Sequence, residues 1–355
     1  MSKVLILGGY GNFGKRISTQ LAKAGVQIII AGRDANKATK LASELGAEGV
    51  AFDVNKDLAK QLKILKPKVV INTCGPFQNA DYSVAKTCID AGVHYLDLAD
   101  GRDFVCGISE LDEAAKKAGV LVVSGASSVP ALSSAVLEEF KHEFTEIDSL
   151  KYGISPGQKA DRGLATTQGI LTYLGKKLKS SAGKIRYGWQ DIYCQEYPQL
   201  GKRWMANCDI PDMDLFPACY GIKEIQFSAG FENTFLHFSV WAVSWAIRLG
   251  LPIKLEKHAA PLLKLSHWFD RFGKSDGGMH VIISGKGQDS QPHQRKWFII
   301  AKNGDGPQIP CVPAIILAKK LVSGESISTG ASPCVAMVSL TEYMAELYEF
   351  DICQS

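Results

Sequence analysis

Three glycines at a fixed spacing, an arginine at one strand end and a carboxylate at another are the residues that suggest chemistry. Gly9-x-Gly11-x-x-Gly14 follows the apolar run Val4-Leu5-Ile6-Leu7 and precedes a stretch with Ile17 and Leu21 one turn apart. That order is strand, tight turn, helix. Gly9 permits the turn, Gly11 lets the backbone approach a pyrophosphate, and Gly14 lets helix and strand pack closely. A helix start also offers free N–H groups and a partial positive charge to phosphate. Tyr10, Asn12 and Phe13 lie within the same turn and join the candidate binding residues. A glycine turn that holds no nucleotide is the plainer alternative.

The second apolar run, 26–31, ends in Gly32-Arg33-Asp34. A fold that binds NAD usually places an acidic side chain about 20 residues after the glycines, where it accepts from the ribose 2′-OH. Arg33 stands there instead, and a guanidinium suits a 2′-phosphate. NADP is therefore the expected cofactor. The alternative makes Arg33 a solvated surface residue and gives the ribose to Asp34, although Asp34 more naturally caps the next helix.

The elements that position these residues follow in regular alternation. Residues 49–52 read as a third strand ending at Asp53, which either meets the adenine amine or caps the following helix. Val69-Val70-Ile71-Asn72 is a fourth, almost wholly apolar and so central. It runs into Thr73-Cys74-Gly75-Pro76, and Asn72, Gly75 and Pro76 lie where ligands bind in open α/β sheets. A fifth strand holds Asp97 and a sixth covers 120–124. Six strands with intervening helices make a doubly wound parallel sheet.

Beyond Gly125 the rhythm changes. Strand candidates at 151–155, 184–189 and 224–230 alternate apolar with polar residues, and 279–284 with 296–301 predict a hairpin around a polar loop, 285–295. Helices are expected at 164–178, 234–249 and 258–272, and later at 313–322 and 339–350. The expectation is an α+β second domain with a mainly antiparallel sheet. The apolar segment 238–247, with Trp241 and Trp245, is too short to span a bilayer. It reads as a buried or interface helix, with a membrane-surface helix as the alternative.

The chain has 355 residues, enough for two domains, with 40 basic and 36 acidic residues. That near balance argues against a nucleic-acid partner. The nine cysteines are scattered without a C-x-x-C pair, so neither a metal site nor a disulfide framework is expected. The first apolar run starts within a few residues of the beginning, so no leader peptide is expected and a cytoplasmic setting is the default.

Asp97 has the first claim to a catalytic role, because it stands at a strand's carboxyl end. It fits a general base, a ribose or nicotinamide contact, or a buried loop-organising carboxylate. Ser127 is the second candidate, as a hydrogen-bond donor to cofactor or substrate, although a capping role suits Ser127 or Ser128 as well. His237 and His280 read as satisfied core histidines. Tyr187, Asp191, Tyr193 and Tyr197 either line a cleft or pack.

Together, Gly9-x-Gly11-x-x-Gly14, Ala31-Gly32-Arg33, Asn72-x-x-Gly75-Pro76-Phe77 and Tyr95-x-Asp97-Leu98 resemble the saccharopine dehydrogenase family. Gly125-Ala126-Ser127-Ser128-Val129-Pro130 and Arg162-Gly163-x-Ala165-Thr166 resemble its bacterial saccharopine-dehydrogenase-like branch. The resemblance implies an NADP(H)-dependent oxidoreductase acting on a small or medium organic substrate. It also implies a Rossmann domain over 1–126, an inserted domain over 127–334 that often mediates dimers, and a C-terminal helix within 335–355 returning to the first domain. Saccharopine carries several carboxylates and calls for clustered cations. Arg162, Arg186, Lys202 and Arg203 are dispersed in the sequence, so true saccharopine activity is not expected. A catalytically silent NADP(H) sensor and a reductase for lipid-like substrates are the competing readings.

Overall fold

The computed structural model describes residues 2–178 and 185–355. Lys184, the first residue of one expected strand, lies outside them. Six strands come first: β1 (Lys3–Leu7), β2 (Gln27–Gly32), β3 (Glu48–Ala51), β4 (Val69–Asn72), β5 (His94–Asp97) and β6 (Leu121–Ser124). Then follow β7 (Phe144–Ser155), β8 (Lys177–Leu178), β9 (Arg186–Tyr187), β10 (Tyr193–Tyr197), β11 (Gly201–Asn207) and β12 (Glu224–Ala229). The last are β13 (Gly277–Gly287), β14 (Pro292–Ala301), β15 (Gly330–Pro333) and β16 (Ile352–Gln354).

The chain divides into two compact units, 1–135 with 308–346, and 136–307 with 347–355. Both boundaries differ from the expected ones. The first falls inside the helix Ser133–Phe140, and the return begins at Gln308 rather than near residue 335. The expected C-terminal helix is short, Leu340–Glu346, and the last residues add β16 to the second sheet instead.

The first unit holds a parallel sheet of order β15-β6-β5-β4-β1-β2-β3. Every residue of β4 is buried, as is all of β1 beyond Lys3, because helices cover both faces. β1 lies between β2 and β4, so the strand order reverses there. The seventh strand, β15, pairs with β6 and was not expected. Its sequence, Gly-Ala-Ser-Pro, has no strand-forming side chain. Asp112 holds it, accepting from the Ala331 N–H at 2.9 Å. The helix Val312–Ser323 packs on the helix Asn12–Lys23 and over β1 and β4.

The second unit holds a mixed sheet of order β10-β11-β12-β7-β13-β14-β16. β7 is its centre, parallel to β12 and antiparallel to β13. The β13–β14 hairpin is longer than expected, because the polar residues 285–287 and 292–295 continue the ladder beyond the apolar core. The expected helix over 164–178 stops at Tyr173, and Lys177-Leu178 pairs with Arg186-Tyr187. A turn at 302–305 is closed by Asp305 N–H to Lys302 O, 2.9 Å.

Candidate dinucleotide-binding site

The glycine turn lies where β1 ends, beside the reversal of strand order. Gly8, at φ +73°, starts it, and the Gly11 N–H returns to Gly8 O at 2.7 Å. A Cβ on Gly14 would lie 2.1 Å from Gly8 O, so only glycine lets the helix approach this closely. At Gly11 a Cβ would lie 3.1 Å from Gly8 O, a tight contact but a far milder one than at Gly14. Gly9 is pinned by its N–H to Ala31 O, 3.1 Å, and by the buried Ser18 hydroxyl donating to its carbonyl, 3.0 Å.

The helix Asn12–Lys23 begins with Gly11 as N-cap, no side-chain cap and no acid in its first turn. Its leading N–H groups therefore have no competing side-chain anion, which suits a phosphate. Arg16 is turned back onto Asn12, donating to its carbonyl and side-chain oxygens. From the returning segment, Cys311 Sγ lies 3.7 Å from the Phe13 carbonyl.

Tyr10 crosses from the turn to the end of β2. A Cβ on Gly32 would collide with its ring at 2.3 Å, and its hydroxyl accepts from the Asp34 N–H at 2.9 Å. Tyr10 thereby fixes the backbone that carries Arg33. Arg33 is exposed and forms no ion pair among the described residues. Asp34 caps the next helix, accepting from the Lys37 N–H at 3.1 Å. Asp53 caps as well, accepting from the Asn55 N–H at 3.1 Å.

Asn72 is buried and committed on both sides of its amide. Its Nδ2 donates to the Tyr95 hydroxyl at 3.1 Å, and its Oδ1 accepts from the Cys74 N–H at 3.0 Å. It shapes the loop after β4, which continues through the cis Gly75–Pro76 bond. Thr73 closes the same corner with its hydroxyl on Leu7 O, 2.8 Å.

Asp97 has no exposed surface. Its Oδ1 accepts from the Ala99 N–H at 3.0 Å, the Ser124 hydroxyl at 2.9 Å and the Gly125 N–H at 2.9 Å. Burial pushes its carboxyl up to about 6, against the pull of those hydrogen bonds. This geometry fits the loop-organising role among the three left open, since a general base must reach a substrate proton. Ser124, at the end of β6, was not among the candidates, and Gly125 entered only through the family motif; the signal for both was an adjacent strand end opposite a carboxylate.

Ser127 is half-buried, and its N–H returns to Gly125 O at 2.7 Å. Neither Ser127 nor Ser128 caps with its hydroxyl: the chain makes a wide turn at Ser128–Leu132, with a cis Val129–Pro130 bond, before the next helix. Ser127 thus keeps its hydroxyl for another partner.

A hollow lined by Lys3, Gln27 and Glu48 lies at the amino ends of the strands. The Lys3–Glu48 ion pair, 2.9 Å, occupies it. Ligands in open sheets bind at the opposite, carboxyl ends. No group of three metal-ligating side chains occurs among the described residues, and all nine cysteines are free thiols.

In the second unit, Arg162 pairs with Asp270, Arg186 with Glu224 at 2.9 Å, and Arg203 with Glu232 at 3.6 Å. Gln158 joins two of these pairs, through its N–H to Glu232 at 2.8 Å and its Nε2 to Asp270 at 3.2 Å. Lys202 is exposed and apart from that network. His280 is satisfied by Tyr197 at 2.7 Å and Tyr193 at 3.2 Å, and burial pushes it down to about 3. His237 is also buried, but neither ring nitrogen has a partner among the described residues, which corrects the expectation of a satisfied side chain. Of the tyrosine cluster, Tyr187 stacks under Arg248 and Tyr193 under Lys151.

A strand order of 3-2-1-4-5-6 with an added strand, and a glycine turn at its reversal, defines a Rossmann-type dinucleotide-binding unit. Residues 4–123 match the family model of the saccharopine dehydrogenase NADP binding domain. Among solved structures, the chain resembles apo saccharopine dehydrogenase (L-Glu forming) from Saccharomyces cerevisiae. The TM-score is 0.68 at 14% identity, covering 100% of this chain and 99% of that one. It also resembles an amine dehydrogenase from Mycobacterium smegmatis, with a TM-score of 0.49 at 12% identity over 94% of this chain and 95% of that one. No curated protein sequence matches. At 14% identity the likeness to the yeast protein speaks for the fold alone.

Proposed function

We propose that the chain is an NADP(H)-dependent oxidoreductase transferring a hydride to or from a small or medium organic substrate. The observation that carries this reading is Arg33, exposed and unpaired at the end of β2, while its acidic neighbour Asp34 is spent on a helix cap. The 2′-phosphate of NADP would pair with Arg33, and the pyrophosphate would meet Gly11 and the uncapped helix start. When bound, the nicotinamide supplies the hydride chemistry. The protein's own share is to hold the loops: Asn72 shapes the one after β4, and Asp97 ties those after β5 and β6 together. Ser127 is the free hydroxyl on that rim. Asp53 remains a candidate neighbour of the adenine.

Saccharopine is a poor candidate substrate. Arg162, Arg186 and Arg203 are each paired with a carboxylate, so a polyanionic substrate would have to displace an acidic partner at every one. A panel of carbonyl and imine compounds, followed by NADPH oxidation, tests the proposal. Turnover of at least one member supports it. Tight NADPH binding without turnover across the panel would favour a nucleotide sensor.

A further inference from the structure

The second unit carries a helical layer that leaves several large apolar side chains in solvent. In the helix Thr234–Arg248 the fully buried side chains are His237 and Ser244, seven residues apart on one face. Leu236, Phe238, Val240, Trp241 and Ile247 are half-buried, while Phe235, Val243 and Trp245 are exposed. Phe235 is 69% exposed, and the turn after the helix adds Leu249 at 81%. The next helices continue the pattern, with Leu265 at 57%, Trp268 at 69% and Phe272 at 66% exposed. Leu265, Trp268 and Phe272, three and four residues apart, form a local cluster that Phe235 joins through Phe269. Phe235 stacks on Phe269 at 6.0 Å, and the helix Ala259–His267 packs beside the helix Leu164–Tyr173. An ordinary surface helix buries its apolar stripe and exposes its polar one. A cluster of exposed aromatic and aliphatic side chains of this kind marks an interaction site.

The charge of the layer says what it meets. Residues 248–274 contain six Lys or Arg and two Asp or Glu, so this segment alone carries the +4 of the whole chain. The other 34 basic and 34 acidic residues cancel. Lys254, Lys257, Lys264 and Arg271 are all exposed and form no ion pair among the described residues. The Arg271 guanidinium lies 5.3 Å from the Trp268 ring centroid and 4.6 Å from that of Phe272. Tryptophan, phenylalanine and leucine interleaved with cations is the composition that seats a protein on an anionic bilayer, rings among the headgroups and ammonium groups on the phosphates. A second copy would bring the same positive charge against it. No helix among the described residues is long and apolar enough to cross a membrane, so seating here would be peripheral.

We infer that this face docks the protein on an anionic lipid surface. The test is co-sedimentation of the full chain with vesicles of phosphatidylcholine alone or with about 30 mol% phosphatidylglycerol. The expected result is at least about tenfold stronger binding to the anionic vesicles, most of it lost in about 0.5 M NaCl. Trp268→Ser with Phe272→Ser, and separately Lys257→Glu with Lys264→Glu, should each weaken binding by about tenfold or more, with the circular dichroism spectrum unchanged. Absence of binding to anionic vesicles overturns the inference. So does a solution dimer that the Trp268→Ser, Phe272→Ser variant turns into monomer, because a second copy would then be the occupant. Neither result bears on the nucleotide site.

Discussion

His237 is buried among Trp189, Phe231 and Phe238 with both ring nitrogens unpartnered among the described residues, and burial pushes its pKa down to about 4. A depressed histidine destabilises the folded state as pH falls, because the unfolded chain takes up the proton first. The loss should begin near the ordinary value of 6.5 and be complete near 4. His237→Leu removes two unsatisfied polar atoms. It is expected to stabilise the protein by roughly 1 to 2 kcal/mol at pH 7.5. The gain should grow by about 2 kcal/mol at pH 5. Urea unfolding of both proteins at the two pH values measures this; a destabilised variant would mean that the imidazole has a partner. At this scale the sequence was uneven. Arg33, Asp34 and Asp53 could be placed because strand ends and cap positions follow from local pattern. The state of His237 could not, because hydrogen bonding of a buried ring depends on residues distant in the chain. Asp97 was found for the same local reason as Arg33, but its burial depends on Ser124 and Gly125, 27 and 28 positions away.

The glycine turn shows how an element divides its labour. Gly14 is structural: a methyl group there would strike the Gly8 carbonyl at 2.1 Å. Gly11 is less confined, since a Cβ there would lie 3.1 Å from the same carbonyl and meet no other atom within 4 Å. Gly14→Ala is therefore expected to lower stability by roughly 2 kcal/mol or more, since backbone must move. Gly11→Val should keep the melting temperature within a few degrees and abolish dinucleotide binding. Thermal melts with and without NADPH separate the two. Retained binding in Gly11→Val would show that the turn is not the phosphate site. The strands β1 to β6 were legible because a buried parallel sheet demands short apolar runs, each followed by a helix. β15 was not legible, since Gly-Ala-Ser-Pro owes its extended form to β6 and Asp112 rather than to its own side chains. The long hairpin was read as two short strands for a related reason. Hydrophobic alternation marks only the part of a ladder that covers a core, and polar residues continued the rest.

Across the whole molecule, the change from βα alternation to a mixed sheet told of two units, and the structure has two. Their boundaries were hidden because both units are discontinuous in sequence, and no turn or composition signal marks a chain that leaves a unit at 135 and returns at 308. The near-zero charge balance likewise concealed that 248–274 holds the full excess. The proposed cofactor belongs to the first unit, where residues 4–123 match the saccharopine dehydrogenase NADP binding domain. The most direct test is the affinity of the protein for NADPH and NADH, measured by calorimetry before and after Arg33→Asp. NADPH is expected to bind at least about tenfold more tightly than NADH, and the substitution to erase or reverse that preference. Equal affinities for the two nucleotides in both proteins would contradict the account.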